Sequence, residues 1–314
     1  MRIALLALVA LVPFLARAAD YPSVDVDMEL VQVSDRVYYV QGAAGAATEN
    51  KGFISNAGAV VTDAGIVVYD ALGSPSLAQK FRGLLREVSD QPVVKVILSH
   101  YHADHIYGLQ VFQDEGAEVI APQGAYAYLE APNAEERLAE RRVSLYPWVD
   151  DHTRLVEPDR IVSGVETLEV GGVPMRLQHL GAAHSDGDMA LYLPSERVLF
   201  SGDIIFEGRV PFVGDANTRT WLTALEAMNQ DGLEALIPGH GPAADHPNEA
   251  ITTTRDYLAH LRAVMGAAVD NLQDFASAYE AADWSRFEDL PAFDATHRRN
   301  AYQVYLSMEQ ELLQ

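Results

Sequence analysis

Three features of the 314-residue sequence predict an α/β fold with a helical tail. Short apolar, β-branched runs alternate with amphipathic stretches up to about residue 246. A composition that is 49% hydrophobic at this length supplies a large core. Beyond Pro247 the strand-like runs stop, and apolar residues recur at spacings of three and four.

Each element follows from its local pattern. Residues 37–40, 60–62 and 66–69 read as short strands, and residues 74–88 as an amphipathic helix opened by Ser74-Pro75. Residues 93–98 form an apolar strand interrupted only by Lys95, and residues 118–121 form the next. Residues 125–146 read as helix around a break at Pro132-Asn133. From 161 to 180, strand-like pieces are separated by Gly171-Gly172, and the runs 190–193 and 198–200 lead to Asp203. In the tail, Leu258, Leu261, Met265, Ala268, Leu272, Phe275 and Tyr279 are expected to form one stripe along a single helix. That stripe is expected to pack on its own domain rather than form a dimer seam, because its flanks lack the alternating charges of a coiled coil. A second tail helix is expected over 294–313, and no internal repeat is present.

The first eighteen residues read as a secretory leader. Arg2 precedes the Leu/Ala/Val run of residues 3–15, which is shorter than the ~20 apolar residues of a spanning helix. Ala16-Arg17-Ala18 has the small-x-small form of a cleavage site. The expected organisation is a leader at 1–18, an α/β domain at 19–246 and a helical extension at 247–314, acting in the periplasm or after secretion.

Composition narrows the chemistry. The formal charge is −23, and loss of Arg2 and Arg17 with the leader brings it to about −25. A field of that sign repels phosphate backbones, so nucleic acid is not an expected partner. Nor is a membrane, once the leader is removed. With no cysteine, disulfides, a cysteine-linked lipid anchor and thiolate metal ligands are all excluded.

The run Ser99-His100-Tyr101-His102-Ala103-Asp104-His105 places three imidazoles and a carboxylate directly after a strand. Imidazole with carboxylate suits zinc and related divalent ions such as iron or manganese. Three further motifs stand downstream: His184 in Gly-Ala-Ala-His-Ser-Asp-Gly-Asp, Asp203 in Phe-Ser-Gly-Asp and His240 in Pro-Gly-His-Gly-Pro.

Those seven residues, in that order, resemble the metallo-β-lactamase superfamily of hydrolases over about residues 35–245. The resemblance implies an αββα four-layer sandwich with the metals at one end and the C-terminal helices added to it. It implies one ion, taken as Zn2+, on His100, His102 and His184, and a second on Asp104, His105 and His240, with Asp203 bridging. A water shared by two such ions is the implied nucleophile, oriented by Asp104 and Asp203. Asp70 matches the acidic residue behind the metal loop, where it would support a histidine or backbone amides. An aspartate at position 203, where true β-lactamases of this superfamily carry cysteine or serine, resembles the glyoxalase-II-like thioesterases, lactonases and phosphodiesterases. The segment 202–211 looks like that of exported hydrolases accompanying sulfur-oxidation and quinoprotein dehydrogenase systems.

The expected activity is hydrolysis of a small-molecule ester, thioester or lactone by two zinc ions. The alternatives are lactam hydrolysis and a metal-binding partner of a periplasmic redox system without turnover. Tyr101, Tyr107, Phe206 and Phe212 are candidate walls of the substrate site, and the Gly-rich segment 42–51 a candidate flap. Arg209 is a candidate for holding a substrate carboxylate, a surface salt bridge being its other reading.

Overall fold

The β-branched runs pair into two sheets. The computed structural model describes residues 21–214, 216–228 and 232–313. The leader read at residues 1–18 lies outside them. In chain order the elements are β1 (Val31–Gln32), β2 (Val37–Val40), β3 (Ala57–Thr62), β4 (Gly65–Tyr69), α1 (Pro75–Val88), β5 (Val93–Ile97), α2 (Ala103–Ile106), α3 (Leu109–Gln113), β6 (Glu118–Pro122), α4 (Ala125–Leu129) and α5 (Pro132–Ser144). Then come β7 (Arg160–Val162), β8 (Val165–Val170), β9 (Val173–Gly181), β10 (Asp188–Leu193), β11 (Val198–Phe206), α6 (Thr218–Met228), β12 (Ala235–His240), α7 (Pro247–Asp270), α8 (Phe275–Ala281) and α9 (Phe293–Leu312).

One sheet runs β1-β2-β3-β4-β5-β6-β7 and the other β12-β11-β10-β9-β8. Strands β4 to β7 are parallel neighbours, as are β11 and β12. The inner faces of the two sheets share a core that includes Val60, Val67, Ile97 and Ile120 from the first and Met175, Leu191, Phe200 and Ile237 from the second. Helix α1 covers the outside of the first sheet through Leu77, Phe81 and Leu85. Trp221 and Leu225 of α6, Leu258 and Met265 of α7, and Val304 of α9 cover the second. Helix, sheet, sheet and helix therefore stack as four layers, with the C-terminal helices in the outer one.

Helix α1 begins where its cap dictates, since Ser74 Oγ accepts from Leu77 N at 3.2 Å and Pro75 occupies the first turn. The expected single tail helix is in fact two. Helix α7 ends at Asp270; Leu272 turns left-handed at φ 54° and is 90% exposed. Asp274 then caps α8 by accepting from Ser277 N at 3.0 Å. The spacing of Phe275 and Tyr279 belongs to that new helix, and side-chain capping, not apolar period, decides the break. Leu258, Leu261, Met265 and Ala268 do face the domain's own core. Asp203 lies inside β11 rather than beyond it, and α6 and the short β1 have no counterpart in the elements expected above.

Candidate metal centre

All seven residues converge at the C-terminal ends of the parallel strands. This is where backbone direction leaves a crevice in open α/β sheets. Strand β5 delivers Ser99 and His100, and His102 stands at the N-terminus of the single-turn helix α2, which carries Asp104 and His105. His184 lies in the turn joining β9 to β10, and the parallel pair β11 and β12 sets Asp203 beside His240. The two sheets are tied together behind the site, where Met189 N donates to Ser99 O at 2.8 Å and Tyr69 Oη to Met189 O at 2.6 Å.

Ligand atoms fall into three overlapping groups, each within 4.8 Å of one another: His100, His102 and His184; His100, His105 and Asp203; and Asp104, His105 and His240. Asp203 stands between the outer two. Its Oδ2 is 3.3 Å from His184 Nε2 and 3.2 Å from His240 Nε2, while its Oδ1 is 3.3 Å from His105 Nε2. His102 Nδ1 and His184 Nε2 approach to 3.1 Å.

The outer nitrogens are committed elsewhere, which fixes how the rings point. His105 Nδ1 donates to Asp70 Oδ2 at 2.9 Å and His240 Nδ1 to Ile54 O at 2.7 Å. Ser99 Oγ donates to Asp70 Oδ2 and so accepts from His100 Nδ1, at 2.7 and 2.8 Å. Each of these three rings thus turns its Nε2 inward, where the neutral imidazole offers a lone pair. His100 Nε2, His105 Nε2 and Asp203 Oδ1 are buried without a hydrogen-bond partner. Buried polar atoms left open in this way, around a nitrogen and oxygen donor set, fit divalent cations.

Electrostatics divides the cluster. Burial holds His100, His102 and His184 below the usual histidine range, His184 at about 3. Burial also opposes the charged forms of His105 and His240, but Asp203 and Asp104 outweigh it and raise both, His240 to about 9. For Asp203 and Asp104 burial is likewise outweighed, here by the surrounding histidines, and both stay well below the carboxylate range. The histidines beside Asp203 and Asp104 thus favour the charged carboxylates, and the carboxylates favour the charged forms of His105 and His240, while burial prevails in the three-imidazole group.

Backbone geometry permits this density. A Cβ on Gly239 would lie 1.9 Å from Asp203 Oδ1, so only glycine lets β12 pass beside the carboxylate. Asp70 sits at φ 62°, a left-handed conformation that its side chain supports by accepting Ser99 N and Oγ, both at 2.7 Å.

Among the predicted walls, only Phe206 stacks on a clustered histidine, lying parallel to His240 with centroids 5.2 Å apart. Tyr101 lines a small cleft beside His102 together with Tyr128 and Gly187, its hydroxyl donating to Val156 O at 2.9 Å. Tyr107 is not a wall: it is 1% exposed and packs inward in the first sheet's outer core. Phe212 is not one either, since it turns to the C-terminal helices, with the Arg299 guanidinium 5.3 Å over its ring. Segment 42–51 is internally bonded, Asn50 Nδ2 donating to Ala46 O at 3.0 Å and Gly52 N to Ala47 O at 2.8 Å.

Arg209 is part-buried on the loop after β11, its Nε shielded and without a partner, and it makes no ion pair among the described residues. Burial lowers its pKa, against the opposing charges of Asp203 and Asp104.

Two supporting residues escape a reading of the sequence. Asp188 accepts from Ser185 N at 2.9 Å, Ser185 Oγ at 3.1 Å and Ala183 N at 3.2 Å, bracing the His184 turn. Asn56 Nδ2 donates to Pro238 O and Gly241 O, both at 2.8 Å, holding the His240 turn from the other sheet. The Ser-Asp-Gly-Asp motif was a visible signal for Asp188; Asn56 has none.

The profile of the family described as "Metallo-beta-lactamase superfamily" matches residues 50–240, more than half of the chain. The chain belongs to this superfamily. As a member it is a metal-dependent hydrolase. Among curated relatives it is 25% identical to the type 2 metallo-beta-lactamase of Bacteroides fragilis over 68% of this chain and 80% of that protein. It is 27% identical to an acyl-coenzyme A thioesterase of Gallus gallus over 56% of this chain and 68% of that one. The sec-alkylsulfatase Pisa1 of Pseudomonas sp. superposes with a TM-score of 0.70 at 20% identity, over 89% of this chain but only 50% of that enzyme.

Proposed function

We propose that this metallo-β-lactamase superfamily member is an exported, dinuclear zinc hydrolase of an ester, thioester or lactone that carries an anionic group. The observation supporting this reading is the Asp203 carboxylate, flanked by His184 and His240 at 3.3 and 3.2 Å in a cluster without thiols. His100, His102 and His184 would hold one ion, and Asp104, His105 and His240 the other. A bound pair of divalent ions supplies an activated water and an electrophile for the carbonyl oxygen.

The chain's own residues do the remaining work. Asp70, directly for His105 and through Ser99 for His100, keeps the Nε2 atoms of both rings aimed inward. Phe206 excludes water from the face of His240 and lowers the local dielectric. Arg209 would take the substrate's anionic group by paired N–H donors, away from the reacting carbonyl. The leader at 1–18 would carry the chain out of the cytoplasm.

A second reading, hydrolysis of a sulfate monoester, draws on the same guanidinium, because that substrate carries its charge next to the scissile bond. A panel of aryl esters, thioesters, lactones, β-lactams and alkyl sulfates with zinc-reconstituted protein separates the readings. Turnover is expected to be fastest on an acyl substrate with a free carboxylate. Fastest turnover of an alkyl sulfate would favour the second reading, and none anywhere would favour a metal-binding partner of a redox system.

A further inference from the structure

The loop that carries Arg209 is held from outside the family-matched region, by the C-terminal helices. Val210 N donates to Pro291 O at 3.0 Å, in the connection before α9. Asn300 of α9 then closes the next residues in both directions, donating from Nδ2 to Pro211 O at 2.6 Å and accepting Val213 N on Oδ1 at 3.0 Å. Its amide is oriented in turn by Tyr257 of α7, whose hydroxyl lies 3.0 Å from Asn300 Nδ2 and 3.0 Å from His297 Nδ1. Asn300, Tyr257 and His297 are all essentially excluded from solvent.

An asparagine in a helix interior is a poor helix former, and burying its amide is costly unless every polar atom finds a partner. Here the amide replaces a strand partner for a loop that has none. The same seven-residue stretch begins where Glu207 N donates to His240 O at 3.2 Å, so it is fixed to the metal centre at one end and to α9 at the other. Arg209 lies between these anchors, so a shift of the 211–213 backbone would move it relative to the His240 end of the metal centre.

We propose that Asn300 is a positioning residue of the active site, through which the C-terminal helices hold the Arg209 loop and so set the preference for anionic ligands. The proposal rests on the reading that Arg209 takes the substrate's anionic group. A helical extension that merely buried apolar surface would leave that preference untouched when the amide is removed.

The test measures dissociation constants by calorimetry on zinc-loaded protein for succinate, glutarate and adipate, each against the monocarboxylate of equal length. Either kind of ligand places one carboxylate at the metals, and only the diacids offer a second to Arg209. Wild type is expected to prefer the best-fitting diacid by at least roughly tenfold, the scale of one charge-assisted contact. Arg209→Ala should abolish that preference. Asn300→Ala should remove most of it with zinc content unchanged, and Arg209→Ala/Asn300→Ala should lose no more than Arg209→Ala, because the two act on one contact. Tyr257→Phe keeps the packed ring while freeing the amide, and should weaken the preference in the same direction even if Asn300→Ala does not fold. A preference that survives Arg209→Ala, or is missing from wild type, overturns the reading of Arg209 and the proposal with it. A preference that Arg209→Ala abolishes but Tyr257→Phe and any folded Asn300→Ala protein retain overturns the proposal alone.

Discussion

Three of the five clustered histidines, His100, His105 and His240, are oriented as ligands by a second residue that has taken the other ring nitrogen. Asp70 does this directly for His105 and, by way of Ser99, for His100, from a backbone at φ 62°. Asparagine tolerates that left-handed backbone, so Asp70→Asn isolates the charge and acceptor capacity from the fold. The substitution is expected to weaken zinc at the Asp104, His105 and His240 group by about 10–100-fold, read by competition with a chromophoric chelator. An affinity equal to wild type would mean that the ring of His105 is held by packing alone. The seven ligand candidates were legible in the sequence because each sits in a short local motif. The residues that orient them were less so. Asn56 reaches Pro238 and Gly241 across 182 and 185 residues of chain, and nothing near Asn56 announces those partners.

At the scale of elements, the site is a consequence of strand ends. Parallel pairing of β11 with β12 sets Asp203 against Gly239, and the missing side chain there is what lets carboxylate and strand coexist. Gly239→Ala places a methyl 1.9 Å from Asp203 Oδ1, so the carboxylate or the strand must move. The variant is expected to stay folded by circular dichroism while binding less zinc per chain than wild type, measured by atomic emission; full zinc content would contradict this account of the close approach. The alternation of apolar runs located most strands and helix α1, since local period and the Ser74 cap carry that information. The same period could not see the end of α7, which depends on the Asp274 cap and on the left-handed turn at Leu272. It equally could not see that Tyr107 turns into the core and Phe212 toward α9, because burial of an aromatic is decided by packing partners distant in sequence.

For the whole molecule, the helical extension is part of the second sheet's core, and its polar interior makes stability depend on pH. His297 is enclosed by Tyr257 of α7, Tyr279 of α8, Trp284 and Phe293, and burial, aided by the charge of His260, lowers its pKa to about 4. Unfolded, the ring titrates near 6.5, so between these values the unfolded chain binds a proton that the folded chain refuses. The stabilisation is complete above about pH 6.5 and is lost as pH falls toward 4. Melting temperatures at pH 7 and pH 5 should therefore drop more for wild type than for His297→Gln, and equal drops would assign the acid sensitivity elsewhere. If the Asp203 carboxylate joins two metal sites, reconstituted and dialysed protein must hold two ions, so its zinc stoichiometry decides the matter. About two ions per chain are expected for wild type and about one for Asp203→Ala, with turnover of the best substrate lowered at least about a hundredfold in the variant. One ion or fewer in wild type, or an Asp203→Ala protein with two ions and normal turnover, would mean that Asp203 does not join two metal sites.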